Sequence, residues 1–228
     1  MPAYHAQKTL EKTVECLPPI YDEIILCDDG SQDGTYDLSR KLGLTTLRHN
    51  NNYGYGKNQK TLYDNALERN PEIIIMVHPD NQYDASCLPE MINLIRNHGA
   101  DFVIGSRIKS ARQNGMPNYK YISNRGLTFL QNLIYSTKLS EFHSGLRAYR
   151  VETLRNIPYN NFSDDFVFDS EVIAWIIAHR LAIAETDTIC IYHKDSSSIN
   201  FRRSFKYGIE TLRVLKNYRN GKYHKMKK

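Results

Sequence analysis

Short apolar runs alternate with stretches of helical periodicity along the first hundred residues, and each run ends in a polar loop carrying acids or glycine. TLEKTVECL sets Leu10, Val14 and Leu17 at helical spacing, and EIILC (23–27) reads as a buried strand. A helix is predicted from Gly34 to Lys41 and a short strand near Thr45 to Leu47. The stretch from Gly56 to Arg69 is helical with Leu62, Ala66 and Leu67 inward; Pro71 ends it, and EIIIMV (72–77) is the clearest strand. Leu88 to Asn97 gives the next helix and DFVIGS (101–106) the next strand. Such alternation predicts β-α-β units around a mostly parallel central sheet flanked by helices, an α/β architecture whose ligands bind at the carboxyl ends of the strands.

The second half is less regular. A loop rich in Lys, Arg, Gln and Gly (109–120) leads into a helix near Ile122 to Tyr135, followed by SEFHSGLRAYR (140–150). A helix from Phe168 to His179 carries Val172, Ile173, Trp175 and Ile176, and LAIAETD (181–187) is predicted to return to the sheet. Phe205, Ile209, Leu212 and Leu215 repeat at helical spacing near the end. No repeat, low-complexity tract or linker marks a boundary, so a single α/β domain is expected over 1–200, with 201–228 as a basic helix and tail.

Size and composition agree with one domain: the chain has 228 residues, 41% of them hydrophobic. No apolar run approaches the roughly 18 to 20 residues that span a bilayer. The start, MPAYHAQKTLEKT, lacks the basic-then-apolar order of a secretory signal, so a cytoplasmic location is expected. Cys16, Cys27, Cys87 and Cys190 form no C-x-x-C pair, which argues against a zinc ribbon or a disulfide framework. Charge is uneven. Residues 194–228 hold eleven Lys and Arg against Asp195 and Glu210, a tail of +9 in a chain of net +5. A solvated helix face and a surface for phosphates, including the inner face of an anionic membrane, both fit that pattern.

Four loops carry the candidate chemistry. CDDGSQDGT (27–35) places Asp28 and Asp29 at a strand end, where a carboxylate can accept hydrogen bonds from a base N–H or a ribose hydroxyl; the same turn also reads as a helix cap through Asp33. VHPDNQYD (77–84) puts Asp80 and Gln82 two residues apart, hard oxygen ligands able to share one Mg²⁺ or Mn²⁺ with a diphosphate, or simply a polar turn. Arg107 in IGSR offers a bidentate grip on phosphate oxygens. Glu141 and His143 lie on one side of an extended segment, where either could take a proton from an acceptor hydroxyl.

In order, PAY, D-D-G-S, x-x-D-x-Q, G-S-R, E-x-x-S-G-x-R and S-S-S-I-N-F-R-R-S-x-x-Y-G resemble the family-two glycosyltransferases, especially polyprenyl-phosphate (dolichyl-phosphate) mannosyl and glucosyl synthases. The resemblance runs from Pro2 to about Leu212. It implies a GT-A fold, Rossmann-like, and inverting transfer of a hexose from a UDP- or GDP-sugar to a polyprenyl phosphate or another hydroxyl acceptor, with no nucleic acid involved. Pro2, Tyr4 and Asp29, beside Asp28, would then line the base pocket, and Asp80 and Gln82 would hold metal and diphosphate. Arg107, with Arg125 or Lys120, would contact phosphate; Glu141 would take the place of a catalytic carboxylate, and His143 would shape the acceptor site.

Three departures stand out. His78 replaces the aspartate that usually opens the metal loop, leaving an imidazole as a possible ligand. His5 stands where an asparagine is usual. An apolar strand normally precedes PAY, and the sequence here begins at Met1-Pro2, so a start further upstream is expected. Two rival readings stay open: a sugar-phosphate nucleotidyltransferase, although the glycine-rich basic loop such an enzyme needs after its first strand is not seen, and a non-catalytic nucleotide-sugar-binding remnant.

Overall fold

The computed structural model describes residues 1–192 and 201–227; the serine-rich part of the last motif (196–200) lies outside them. The first strands are β1 (Pro2–Ala3), β2 (Ile25–Asp28) and β3 (Thr45–Arg48), separated by α1 (Leu10–Glu15) and α2 (Thr35–Lys41). After α3 (Tyr55–Leu67) come β4 (Ile73–Met76), α4 (Leu88–Arg96), β5 (Phe102–Ser106) and α5 (Asn118–Tyr135). The chain continues through β6 (Arg147–Arg150), α6 (Val151–Asn156), α7 (Phe168–Ala178) and β7 (Ile183–Asp187) to α8 (Phe201–Arg219) and α9 (Lys222–Lys225).

The strands form one parallel three-stranded sheet, β1-β2-β3, and one four-stranded sheet, β4-β6-β5-β7. β5 and β7 are parallel, whereas β6 runs antiparallel to both β4 and β5. The two-residue β1 pairs with Cys27 and Asp28, and among the described residues β4 is paired by β6 alone. This is the slot for which an upstream strand was expected; Pro2 and Ala3 lie beside β2 there.

One apolar cluster unites the two sheets: Ala3 and Leu26 from the first, with Leu10 of α1, pack with Val103 and Ala148 from the second and with Val77 just after β4. α4 shows how the sequence builds this layer. Pro89 opens the helix, where a missing N–H costs nothing, and Leu88, Met91 and Ile95 return to one buried face. Burying each such side chain stabilises the fold by about 1.5–3 kcal/mol. α7 is different, since Phe168 to Trp175 are buried all round, polar Asp169, Ser170 and Glu171 included.

Register fixes where the loops emerge. Ala3 pairs with Asp28 and Asp28 with Arg48, so the segments after β1, β2 and β3 leave from one end. In the second sheet Met76 and Ile104 both face Arg147, so the loops after β4 and β5 meet the segment that precedes β6. Thr9 Oγ donates to the Pro79 carbonyl at 2.7 Å and joins the two ends.

At that end Arg147, 1% exposed, pairs with Asp169 at 3.0 Å. Its Nε donates to the Ser144 carbonyl at 2.8 Å and its Nη2 to the Phe142 carbonyl at 3.4 Å. Asp169 also accepts from Tyr55 Oη at 2.9 Å and Gln59 Nε2 at 3.0 Å. Removing one partner of such a buried pair strands the other charge, which costs about 3–5 kcal/mol. Arg147→Met should therefore lower the unfolding free energy in urea by about that much, and adding Asp169→Asn should restore part of it. Equal stability of Arg147→Met and wild type would contradict the pairing.

Candidate functional site

The turn after β2 divides its two acids between different tasks. Asp29 is saturated: Oδ1 accepts from Tyr53 N at 3.0 Å and lies 2.7 Å from His49 Nδ1, while Oδ2 accepts from Gly54 N at 2.9 Å. Gly54 has φ 102°, a conformation that suits glycine, and its N–H is presented to the carboxylate. Asp29 thus anchors the loop before α3. Asp28 is buried, and its Oδ1 accepts from Ser31 N at 3.2 Å. Its Oδ2 accepts no hydrogen bond, although Arg48 Nε is 3.4 Å away. A buried carboxylate oxygen without a donor is a costly feature that a ligand N–H or hydroxyl would relieve. Tyr4, at the end of β1, is 48% exposed and stacked on His5 with centroids 4.1 Å apart, a flat aromatic face beside this turn. Pro2 is buried within β1.

The loop after β4 is held through its neighbours. Tyr55, the residue after Gly54, stacks on His78 at 5.6 Å. Its hydroxyl donates to Asp169, so its oxygen is left to accept from His78 Nε2 at 3.2 Å. That arrangement puts the imidazole proton on Nε2 and leaves Nδ1 with the lone pair. Burial, helped by nearby positive charge including Arg147, lowers the His78 pKa to about 3, so the ring is neutral. Gly145 is required opposite: a Cβ there would come within 2.4 Å of His78 Nε2. Asp80 and Gln82 are both buried; Asp80 Oδ1 accepts from Gln82 N at 3.2 Å, and Gln82 Nε2 has no hydrogen-bond partner among the described residues.

Among the described residues no group of three His, Cys, Asp or Glu side chains could enclose a metal by itself. The Asp80 carboxylate and the Gln82 amide oxygen offer hard donors for the other mode, in which a cation takes one or two protein oxygens and completes its shell with phosphate oxygens and water, while the open Gln82 Nε2 is a hydrogen-bond donor suited to a phosphate oxygen. The donor set at Asp80 and Gln82 therefore suits Mg²⁺ or Mn²⁺ shared with a diphosphate.

Glu141 is fully buried and well supplied with donors. Arg107 N reaches its Oε2 at 3.0 Å, Arg107 Nε its Oε1 at 3.0 Å, and Asn124 Nδ2 its Oε1 at 2.7 Å. Arg107 Nη2 also donates to the His143 carbonyl at 2.9 Å, and the guanidinium lies over the rings of Tyr83 and Tyr192. Neither group is a free reagent. The expectation that Glu141 waits for an acceptor proton meets a carboxylate with no exposed surface that accepts from Arg107 and Asn124 and so holds Arg107 in place. His143 Nδ1 lies 2.8 Å from Tyr207 Oη of α8, and its Nε2 is buried without a partner. Arg125 is exposed and donates to the Ser140 carbonyl at 3.1 Å, while Lys120 is partly buried, its pKa lowered by desolvation and by the charge of Arg107.

These contacts form one continuous set: Asp29 to Gly54, Tyr55 to His78, Tyr83 to Gly145, and Arg107 to Glu141 and His143. Sequence reasoning missed Asn124, Tyr55, Asp169 and Tyr207. The available signal was the pair of acids in FDSEVIAWIIA, since charge inside an otherwise apolar helix needs a partner.

Burial lowers the His143 pKa from 6.5 to about 4, so the folded protein binds fewer protons than the unfolded chain between those values. Stability contributed by this ring is complete above about pH 6.5 and declines as the solution is acidified, by at most about 1.4 kcal/mol per pH unit. Urea unfolding of His143→Gln between pH 7 and pH 5 should show a shallower decline than wild type. Identical slopes would mean that the imidazole is not held neutral.

A family model described as Glycosyl transferase family 2 matches residues 1–157. The UDP-N-acetylglucosamine–dolichyl-phosphate N-acetylglucosaminyltransferase of Methanococcus voltae is 28% identical over 211 residues, 84% of each chain. The undecaprenyl-phosphate mannosyltransferase of Micrococcus luteus is 25% identical over 165 residues, 69% of this chain and 67% of that one. Glucosyl-3-phosphoglycerate synthase from Mycobacterium tuberculosis, solved with Mn²⁺, UDP-glucose and phosphoglyceric acid, superposes with a TM-score of 0.70 at 16% identity, covering 95% of this chain and 77% of that one. Sequence and fold lead to the same place: the chain belongs to glycosyl transferase family 2 and has the GT-A fold.

Proposed function

We propose that this glycosyltransferase moves a hexose from a UDP- or GDP-sugar to a polyprenyl phosphate, using Mg²⁺ or Mn²⁺. The observation that supports the reading is two buried polar atoms without hydrogen-bond partners among the described residues, Asp28 Oδ2 at the end of β2 and Gln82 Nε2 beside Asp80 in the loop after β4. Asp28 would accept from the nucleoside while Tyr4 stacks on the base. Asp80 and Gln82, with His78 Nδ1 as a further donor, would hold the cation against the diphosphate. Bound there, such a cation would supply charge neutralisation for the departing nucleoside diphosphate. The lipid-linked acceptors named for the enzymes of M. voltae and M. luteus support a polyprenyl phosphate here.

The chain's own groups then have defined tasks. Arg107, fixed by Glu141, presents positive charge to phosphate, with Lys120 and Arg125 nearby. A phosphate acceptor is already anionic at neutral pH and needs no general base. Glu141 serves as a strut for Arg107, and His143, held by Tyr207, shapes the acceptor side.

Transfer assays with UDP- and GDP-sugars should give product with one donor base, only with divalent metal. Asp80→Ala should lower kcat/KM about a hundredfold or more, since a metal-holding carboxylate is lost. Nucleotide triphosphate with sugar phosphate should give no nucleotide-sugar. Full activity in EDTA, or in Asp80→Ala, would overturn the metal reading.

A further inference from the structure

α5 and α8 lie side by side, and each carries an apolar row on the side away from the core. On α5, Ile122, Phe129 and Leu133 are 64%, 72% and 68% exposed and recur at helical spacing. On α8, Phe205, Ile209 and Leu212 are 66%, 39% and 45% exposed. Between the helices runs a groove lined by Leu130, Ile134, Leu212, Leu215, Lys216 and Arg219. An exposed Phe or Leu is unremarkable alone, but two adjacent apolar rows flanking a groove with leucine and isoleucine walls and a basic rim mark an interaction surface.

Charge selects the partner. α5 contains no acid, and α8 contains only Glu210, which pairs with Lys206. Arg202, Arg213, Lys216 and Arg219 are exposed along α8, and Arg125 is exposed on α5. A second copy docking through this face would bring cation against cation. An anionic bilayer supplies both a negative surface and an apolar layer beneath it.

We propose that the outer faces of α5 and α8 together form a membrane-docking surface that inserts Phe129, Leu133 and Phe205 among anionic lipids. The same helices build the site from their inner sides: Asn124 of α5 donates to Glu141, and Tyr207 of α8 holds His143. The docking surface is thus one helix away from the acceptor side, which is where a lipid-linked phosphate must enter. The inference deepens the polyprenyl-phosphate reading and rests on it for its biological purpose, but not for its test.

Sedimentation with phosphatidylcholine vesicles, with and without phosphatidylglycerol, reads the surface directly. Wild type should bind the anionic vesicles, more weakly at high salt. Phe129→Ser combined with Leu133→Ser, both at exposed positions, should reduce partitioning about tenfold or more. Lys216→Glu with Arg219→Glu should weaken binding to anionic vesicles while leaving binding to neutral ones unchanged. Failure of wild type to bind, or wild-type binding by Phe129→Ser/Leu133→Ser, would overturn the proposal. So would a dimer in analytical ultracentrifugation that this variant dissolves while vesicles are ignored. On a short, water-soluble prenyl phosphate, Phe129→Ser/Leu133→Ser should turn over like wild type. Vesicle binding without transfer to any prenyl phosphate would sink the acceptor assignment and leave the docking surface standing.

Discussion

The ion pair between Arg147 and Asp169 is the contact on which the site end of this protein depends. Arg147 stands at the start of β6, the middle strand between β4 and β5, where solvent cannot screen its charge. Asp169 answers that charge from α7, and the remaining donors of the guanidinium go to the Ser144 and Phe142 carbonyls. The segment carrying Glu141 and His143 is thereby fixed on one side. On the other, Asp169 receives Tyr55, which orients His78 two residues ahead of Asp80. One buried pair thus sets the position of two loops that share no strand.

Around this knot the acids divide by how completely they are satisfied. Asp29, Glu141 and Asp169 each accept several hydrogen bonds and act as struts between segments distant in sequence. Asp28 keeps a buried oxygen without a hydrogen-bond donor, and Gln82 an amide nitrogen without an acceptor. Leaving a buried polar atom unanswered carries a cost that a ligand could relieve.

Much of the first half was legible in the sequence because its strands are apolar runs closed by turn residues; Ile73–Met76 and Phe102–Ser106 lie within the stretches the pattern marks. β6 was legible only as an extended segment, since Arg147-Ala-Tyr-Arg carries none of the apolar signal of a buried strand; its arginine is buried because Asp169 lies opposite. α5 begins four residues earlier than Ile122, in polar NYKY, where packing rather than periodicity decides. Asp28, Asp80 and Gln82 were expected at or just after strand ends, and the structure puts Asp28 at the end of β2 and Asp80 and Gln82 in the loop after β4. That Asp29 and Glu141 are already occupied was not legible, because their donors come from the loop at 53–54, from Arg107 and from Asn124. Local patterns do not encode such pairings.

The proposed function puts a nucleotide-sugar at this end of the fold, and its central claim is that Asp80 and Gln82 grip the diphosphate through a cation. Calorimetric titration of UDP and of GDP into the protein, with Mn²⁺ and then with EDTA, tests this most directly. The account predicts one-to-one binding of one of the two nucleotides that requires Mn²⁺ and is lost in Asp80→Ala. Equal affinity in EDTA, or no binding of either nucleotide with metal present, would contradict it.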